Sequence, residues 1–172
     1  MSLGDKSEKG EEMQALKVAM LGCGVVGTEV AARIQNRAEG LAERIGAPLE
    51  LSAIVVRDAS KARPGIDEKL LTTDAEAAIA GADIVVELMG GIEPARSLIT
   101  AALRQGSSVV TANKALLAAS YGELMSAADA AGVRLEHEAA VAGAIPIIRP
   151  VGDSLAGDRI ERIMGIVNGT TN

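Results

Sequence analysis

Leu16–Gly27 reads LKVAMLGCGVVG, a short apolar run that meets a cluster of glycines. Leu16–Leu21 has the length and content of a buried strand. Behind the glycines, Val25–Arg37 has helical spacing, with Val26, Val30 and Ile34 expected on one face. That order of strand, turn and helix is what gives Gly22-Cys23-Gly24-Val25-Val26-Gly27 its weight as a match to G-x-G-x-x-G. In such a turn Gly22 permits the sharp reversal and Gly24 lets the backbone approach a pyrophosphate. Gly27 lets helix and strand pack closely, with the helix N-terminus facing the phosphates. Gly22, Gly24, Val25, Val26 and Gly27 are therefore candidate dinucleotide contacts, and Cys23 reads as a small filler rather than a nucleophile.

The same rhythm continues outward. Leu49–Val56 (LELSAIVV) is a β-branched strand, Leu70-Leu71 a small one, and Thr73 or Asp74 caps the next helix. Asp83–Leu88 (DIVVEL) is a further buried strand, followed by Gly90-Gly91 and a helix from about Pro94 to Gly106. Ser108–Ala112, a helix over Leu116–Ala131 ended by Gly132, and the strand Val133–Glu138 complete the series. Strands alternating with helices imply right-handed crossovers. The expected fold is α/β, a Rossmann-type, doubly wound, mainly parallel sheet covered on both faces.

After Ala140 the rhythm breaks into a Gly- and Pro-rich stretch, and Glu161–Val167 reads as a new strand. The expected organisation is a disordered tail over 1–14, a dinucleotide-binding domain over 15–145, and a linker with the first strand of a second, α+β domain over 146–172. The chain only begins that second domain.

Composition narrows the function classes. The 172 residues carry a net charge of −6 and contain no Phe, no Trp and one Tyr, so neither phosphate-backbone recognition nor base stacking has the residues it needs. Cys23 is the single cysteine, which excludes an intrachain disulfide and fits a reducing compartment. A charged start without an apolar stretch, and no long apolar run, point to a cytoplasmic chain with no membrane partner.

Three further places bear on chemistry. The second strand should end in a residue that reads the adenosine ribose, and here it ends Val56-Arg57-Asp58. Arg57 suits the 2′-phosphate of NADP, Asp58 the 2′-hydroxyl of NAD, and two solvated charges is the bland alternative. Lys61 and Arg63 tilt the balance towards NADP(H) over NAD(H). Ser108–Lys114 (SVVTANK) puts Asn113 and Lys114 at the carboxyl end of a strand, where open α/β sheets bind ligands, although a surface lysine is the ordinary reading. His137-Glu138 begins like H-E-x-x-H, but Val141 stands at the second histidine position, so a zinc-protease site is excluded and His137 is expected to be packed or capping.

The stretches GCGVVG, VVRD at 55–58, VVELMGGIEPA at 85–95, VVTANKALLA at 109–118, EAAVAGAIPII at 138–148 and GIVNGTTN at 165–172 together resemble bacterial homoserine dehydrogenase. The resemblance implies hydride transfer between NADPH or NADH and aspartate 4-semialdehyde to give homoserine, towards threonine, methionine and isoleucine, in a homo-oligomeric enzyme. It maps Gly22–Gly27, Arg57 and Gly90 to cofactor contacts and Lys114 to the lysine near cofactor and substrate, where an ammonium polarises or protonates the carbonyl oxygen. It also implies a monovalent cation, Na or K, held by backbone carbonyls at Glu138, Val141, Gly143 and Ile145. The second lysine and the carboxylates that hold the amino-acid substrate in that family lie beyond Asn172, so the polypeptide is expected to bind cofactor without turnover. Two rival classes are weaker. Thioester-forming dehydrogenases need a catalytic cysteine that the glycine turn does not supply, and a dinucleotide-sensing regulatory module gives TANK and NGTTN no role.

Overall fold

The computed structural model describes residues 13–143 and 145–165. Six strands, β1 (Leu16–Leu21), β2 (Leu49–Val55), β3 (Leu71–Thr72), β4 (Ile84–Glu87), β5 (Ser108–Thr111) and β6 (Leu135–Glu136), form one sheet in the order β3-β2-β1-β4-β5-β6. Every pairing is parallel, so the expected Rossmann-type fold is present. The order reverses between β1 and β4, and that switch point opens a crevice outside the carboxyl ends of the strands.

β1 is the keel of the sheet. Ala19, Met20 and Leu21 are wholly buried and alternate between the two faces. Ala19 and Leu21 join a cluster with Val85, Ile99, Leu103, Val109, Leu116 and Leu124, while Val18 and Met20 join Ala31, Leu51, Ile54 and Ile66 on the other side. Burial on both faces is why Val18–Leu21 is continuously apolar rather than alternating. Where β1 meets β2 the register slips between Val18 and Ala19, leaving Ser52 as the extra residue, and its hydroxyl donates to the Val18 carbonyl at 3.2 Å.

Five helices cover the sheet: α1 (Val25–Asn36), α2 (Ala38–Ile45), α3 (Ala75–Ala80), α4 (Ala95–Arg104) and α5 (Lys114–Ala131). Asp74, one of the two caps anticipated for α3, accepts from the Ala77 amide at 2.9 Å. α5 starts two residues earlier than its pattern suggested because Asn113 caps it, accepting from the Leu116 amide at 3.1 Å, and it ends as expected at left-handed Gly132. α2 was not anticipated; it follows α1 directly across Arg37 and stops at left-handed Gly46.

Val30 and Ile34, on the helix face they share with Val26, pack against the core, while Val26 at the start of α1 is 59% exposed. A Cβ on Gly27 would stand 2.6 Å from the Gly22 carbonyl oxygen, so Gly27 and Ala31 face inward at this close contact. The strand anticipated at Glu161–Val167 does not form over 161–165, where the backbone has no regular structure and Ile163 and Met164 are 63% and 81% exposed. A strand needs a neighbour to pair with, and none lies beside it among the described residues. The remainder of that stretch, most of the tail over 1–14 and the close NGTTN lie outside the described residues. No helix among those described is long and apolar enough to cross a membrane.

Candidate functional site

Three turns meet at the carboxyl edge of the sheet. The first is the glycine turn. Gly22 leaves β1 at φ +102°, a left-handed conformation, and a Cβ there would press on the Leu88 carbonyl at 3.0 Å. Gly24 has no atom within 4 Å of where its Cβ would be, so that side is open. Gly24 is also the N-cap of α1, and no side chain caps this helix end; its first turn holds no acid either. The leading amides of a helix have no intrahelical acceptors, and together with the helix dipole they form an anion site. Val25 is 86% exposed beside them. Cys23 is partly buried, with Sγ 3.7 Å from the Thr28 hydroxyl, which agrees with its reading as a filler.

The second turn follows β2. Asp58 is folded into the loop: its carboxylate accepts from the Ser60 hydroxyl at 2.6 Å and the Ser60 amide at 3.0 Å. The Ser60 hydroxyl, then its amide, hold the Asp58 carboxyl below its ordinary value. Arg63 stiffens the same loop by donating to the carbonyls of Asp58 and Lys61 at 3.2 and 2.8 Å. Arg57 and Lys61 are exposed and form no ion pair among the described residues. Of the charges that left the ribose reading open, the acid is internally engaged and two cations are free.

The third turn follows β4 and leads into α4, and its central residue was missed by the sequence reading. Glu87, the last residue of β4, is fully buried, opposite Leu21 of β1 on one side and Thr111 of β5 on the other. Its Oε1 accepts from the amides of Met89 at 2.8 Å and Gly90 at 3.2 Å, and its Oε2 from the Thr111 hydroxyl at 2.6 Å. The Asn113 amide group lies 3.5 Å from Oε1 and donates to the Gly91 carbonyl at 2.6 Å. No cation pairs with Glu87 among the described residues. An unpaired buried carboxylate carries a penalty of several kcal/mol unless hydrogen bonds replace its water, and here donors from both turns do so. The signal in the sequence was an acid inside the apolar run DIVVEL.

Lys114 is the first residue of α5, directly after Asn113, and is exposed. A cation at a helix N-terminus opposes the helix dipole, so its position is not one that helix stability selects. Gly90 and Gly91 both take left-handed conformations, φ +74° and +78°, in the turn over β4.

Beyond β6, His137 is buried, with its ring edge-on to Tyr121 at 5.3 Å, and it stands ahead of a short 3₁₀ turn, Glu138–Ala140. Its packed role is as expected. The Glu138 carboxylate reaches forward to the amides of Ile147, Ile148 and Arg149 at 2.5, 2.9 and 2.8 Å. The Arg149 amide, then that of Ile147, hold the Glu138 carboxyl below its usual range against the opposing effect of burial. The Glu138 carbonyl accepts from Val141 at 3.1 Å, whereas the carbonyls of Val141 and Gly143 accept no hydrogen bond among the described residues. Ala142 and Gly143 take left-handed conformations, φ 55° and 62°. No cluster of three or more His, Cys, Asp or Glu side chains suited to a metal occurs among the described residues. A groove of about 400 Å³ lined by Thr100, Arg104, Glu123 and Ser126 is built from the second halves of α4 and α5, not from the carboxyl ends of the strands.

Comparison with known proteins assigns this framework. Residues 22–138 match the NAD-binding domain of homoserine dehydrogenase, and residues 146–172 match the homoserine dehydrogenase domain that follows it. The homoserine dehydrogenase of Corynebacterium glutamicum is 56% identical over 160 residues, covering 92% of this chain and 36% of that protein. That of Mycobacterium tuberculosis is 59% identical over 157 residues, covering 90% of this chain and 35% of that protein. Among solved structures, a homoserine dehydrogenase from Thiobacillus denitrificans superposes with a TM-score of 0.76 at 40% identity, covering 86% of this chain and 35% of that one. The chain thus spans about a third of the length of the relatives it matches. With a nucleotide-binding sheet and the start of the next domain both matched in order, the chain belongs to the homoserine dehydrogenase family.

Proposed function

We propose that this chain provides the cofactor-binding half of an NADP(H)-preferring homoserine dehydrogenase, which reduces aspartate 4-semialdehyde to homoserine in the cytoplasm. The observation that carries the reading is the uncapped N-terminus of α1 behind the open side of Gly24, at the switch point of the sheet, with Lys114 exposed at the edge of the neighbouring strands. These features fit a dinucleotide. The leading amides of α1 would hold the pyrophosphate, with Gly22, Gly24, Val25, Val26 and Gly27 as the contacts. Arg57, joined by Lys61, would bind the 2′-phosphate, a choice favoured by the internal engagement of Asp58. NAD(H) would lack that contact.

The nicotinamide supplies the hydride when bound. Nothing stands within 4 Å of where a Cβ on Gly90 would be, which gives a flat ring room to lie there. Lys114 would donate a hydrogen bond from Nζ to the substrate carbonyl oxygen and help to bring it a proton. A monovalent cation such as Na or K would be held by the carbonyls of Glu138, Val141, Gly143 and Ile145; those of Val141 and Gly143, which accept no hydrogen bond among the described residues, are the donor type such an ion takes.

We take 15–145 as the nucleotide-binding unit and 146–172 as the start of the substrate domain, in line with the two family matches. Substrate-holding groups are not recognisable within these 172 residues, so the polypeptide on its own binds cofactor and does not oxidise homoserine. A sensor module would leave Lys114 without a task. Calorimetric titration with NADPH and NADH tests the reading: tighter NADPH binding that Arg57→Ala abolishes supports it, and equal affinities remove the role of Arg57.

A further inference from the structure

We propose that Glu87 is a positioning residue for the nicotinamide half of the cofactor, locking the Met89–Gly91 turn and the Thr111–Lys114 turn together as one unit. The inference rests on the reading above, in which these turns border the dinucleotide crevice on the side of β4 and β5.

The connections run in both directions from one carboxylate. Oε1 gathers the amides of Met89 and Gly90, so it fixes the backbone of the left-handed turn at Gly90 and Gly91. Oε2 accepts from the Thr111 hydroxyl, which in turn accepts from the Asn113 amide at 3.1 Å. Asn113 caps α5 through Oδ1 and returns its Nδ2 to Gly91. The circuit therefore closes, and Lys114 is the residue next to it. The Glu87 carbonyl adds a second link by accepting from Ala112 at 3.3 Å.

An apolar residue would fill the space at lower desolvation cost, but it would leave the amides of Met89 and Gly90 and the Thr111 hydroxyl without acceptors. Convergent backbone amides of this kind also form an anion-binding concavity. Glu87 occupies it from inside, which keeps an external anion from settling where the nicotinamide ring must lie. The adenosine side uses none of these hydrogen bonds: the glycine turn follows β1, Arg57 and Lys61 follow β2, and none of them hydrogen-bonds to the Glu87 side chain among the described residues.

Glu87→Gln is the near-isosteric test, since the amide retains one acceptor but turns a donor towards the Thr111 hydroxyl. The 172-residue chain is titrated with NADPH and with 2′-phospho-ADP-ribose, which lacks only the nicotinamide, and bound NADPH fluorescence is read alongside. The expected result is about tenfold weaker NADPH binding with a shifted emission, while 2′-phospho-ADP-ribose stays within about twofold of the unsubstituted chain. An equal fall for both ligands would mean a merely structural role, and no change in either would mean no role; both overturn the proposal. Thr111→Val, which keeps the carboxylate and removes one donor, covers the case in which Glu87→Gln does not fold. It should weaken NADPH alone by about threefold, and unchanged NADPH affinity would overturn the proposal. If the unsubstituted chain binds neither ligand, the dinucleotide reading itself has failed, and this inference fails with it.

Discussion

The two sides of the crevice are made in opposite ways. On the side of β1 and β2, the site consists of things left unsatisfied: uncapped helix amides, an open face at Gly24, and two exposed cations. On the side of β4 and β5, the polar groups are already paired with each other around a fully buried carboxylate. A surface that awaits an anion takes its binding energy from the ligand, whereas a surface that must present a flat ring and a lysine in register needs its geometry fixed beforehand. The difference predicts which substitutions damage binding and which damage alignment.

The largest effect should come from Gly27→Ala. Its Cβ would stand 2.6 Å from the Gly22 carbonyl oxygen, backbone that has no room to yield. We expect roughly 1–3 kcal/mol of lost stability, visible in denaturant melts, and no measurable cofactor binding. A variant that melts and binds as before would mean that the glycine turn is looser than its geometry implies.

Next is Arg57→Ala. Loss of charge-assisted bonds to the 2′-phosphate should weaken NADPH by about 10- to 100-fold and leave NADH unchanged, in matched titrations. Equal loss for both would assign Arg57 a general electrostatic part only.

Asn113→Ala belongs to the other side and should cost about 0.5–2 kcal/mol of stability, because it removes the cap of α5 and the bond to Gly91 together. Lys114→Gln should do the reverse and raise the melting temperature slightly, since it removes a cation from a positive helix end. Destabilisation by that change would show that Lys114 has a structural partner.

These contrasts also explain what the sequence disclosed. The glycine turn was legible because its geometry is written in local residue types: LKVAML, then glycines at fixed spacing, then helix-forming residues. The Glu87 network was not, because an acid in DIVVEL acquires its meaning from Thr111, a partner brought alongside by sheet register. α2 escaped notice because AEGLAERI carries no buried residue to mark a face. The strand read into Glu161–Val167 came from apolar content alone, and content does not supply the neighbour that a strand requires.

The smallest effect is expected at the junction after β6. The amides of Arg149, Ile147 and Ile148 depress the Glu138 carboxyl, so its ionised form stabilises the fold above the ordinary carboxylate range. As pH falls through the lowered value this contribution is lost. Hydrogen exchange should then show the amides of residues 147–149 losing protection in acid ahead of those in β1, and Glu138→Gln should show that loss already at neutral pH.

The central claim is that the glycine turn and Arg57 together form an NADP(H) site in this chain. Isothermal titration of the purified 172-residue polypeptide with NADPH and NADH tests it most directly. The account predicts saturable binding of both, with NADPH at least tenfold tighter; binding of neither, or a preference for NADH, would contradict it.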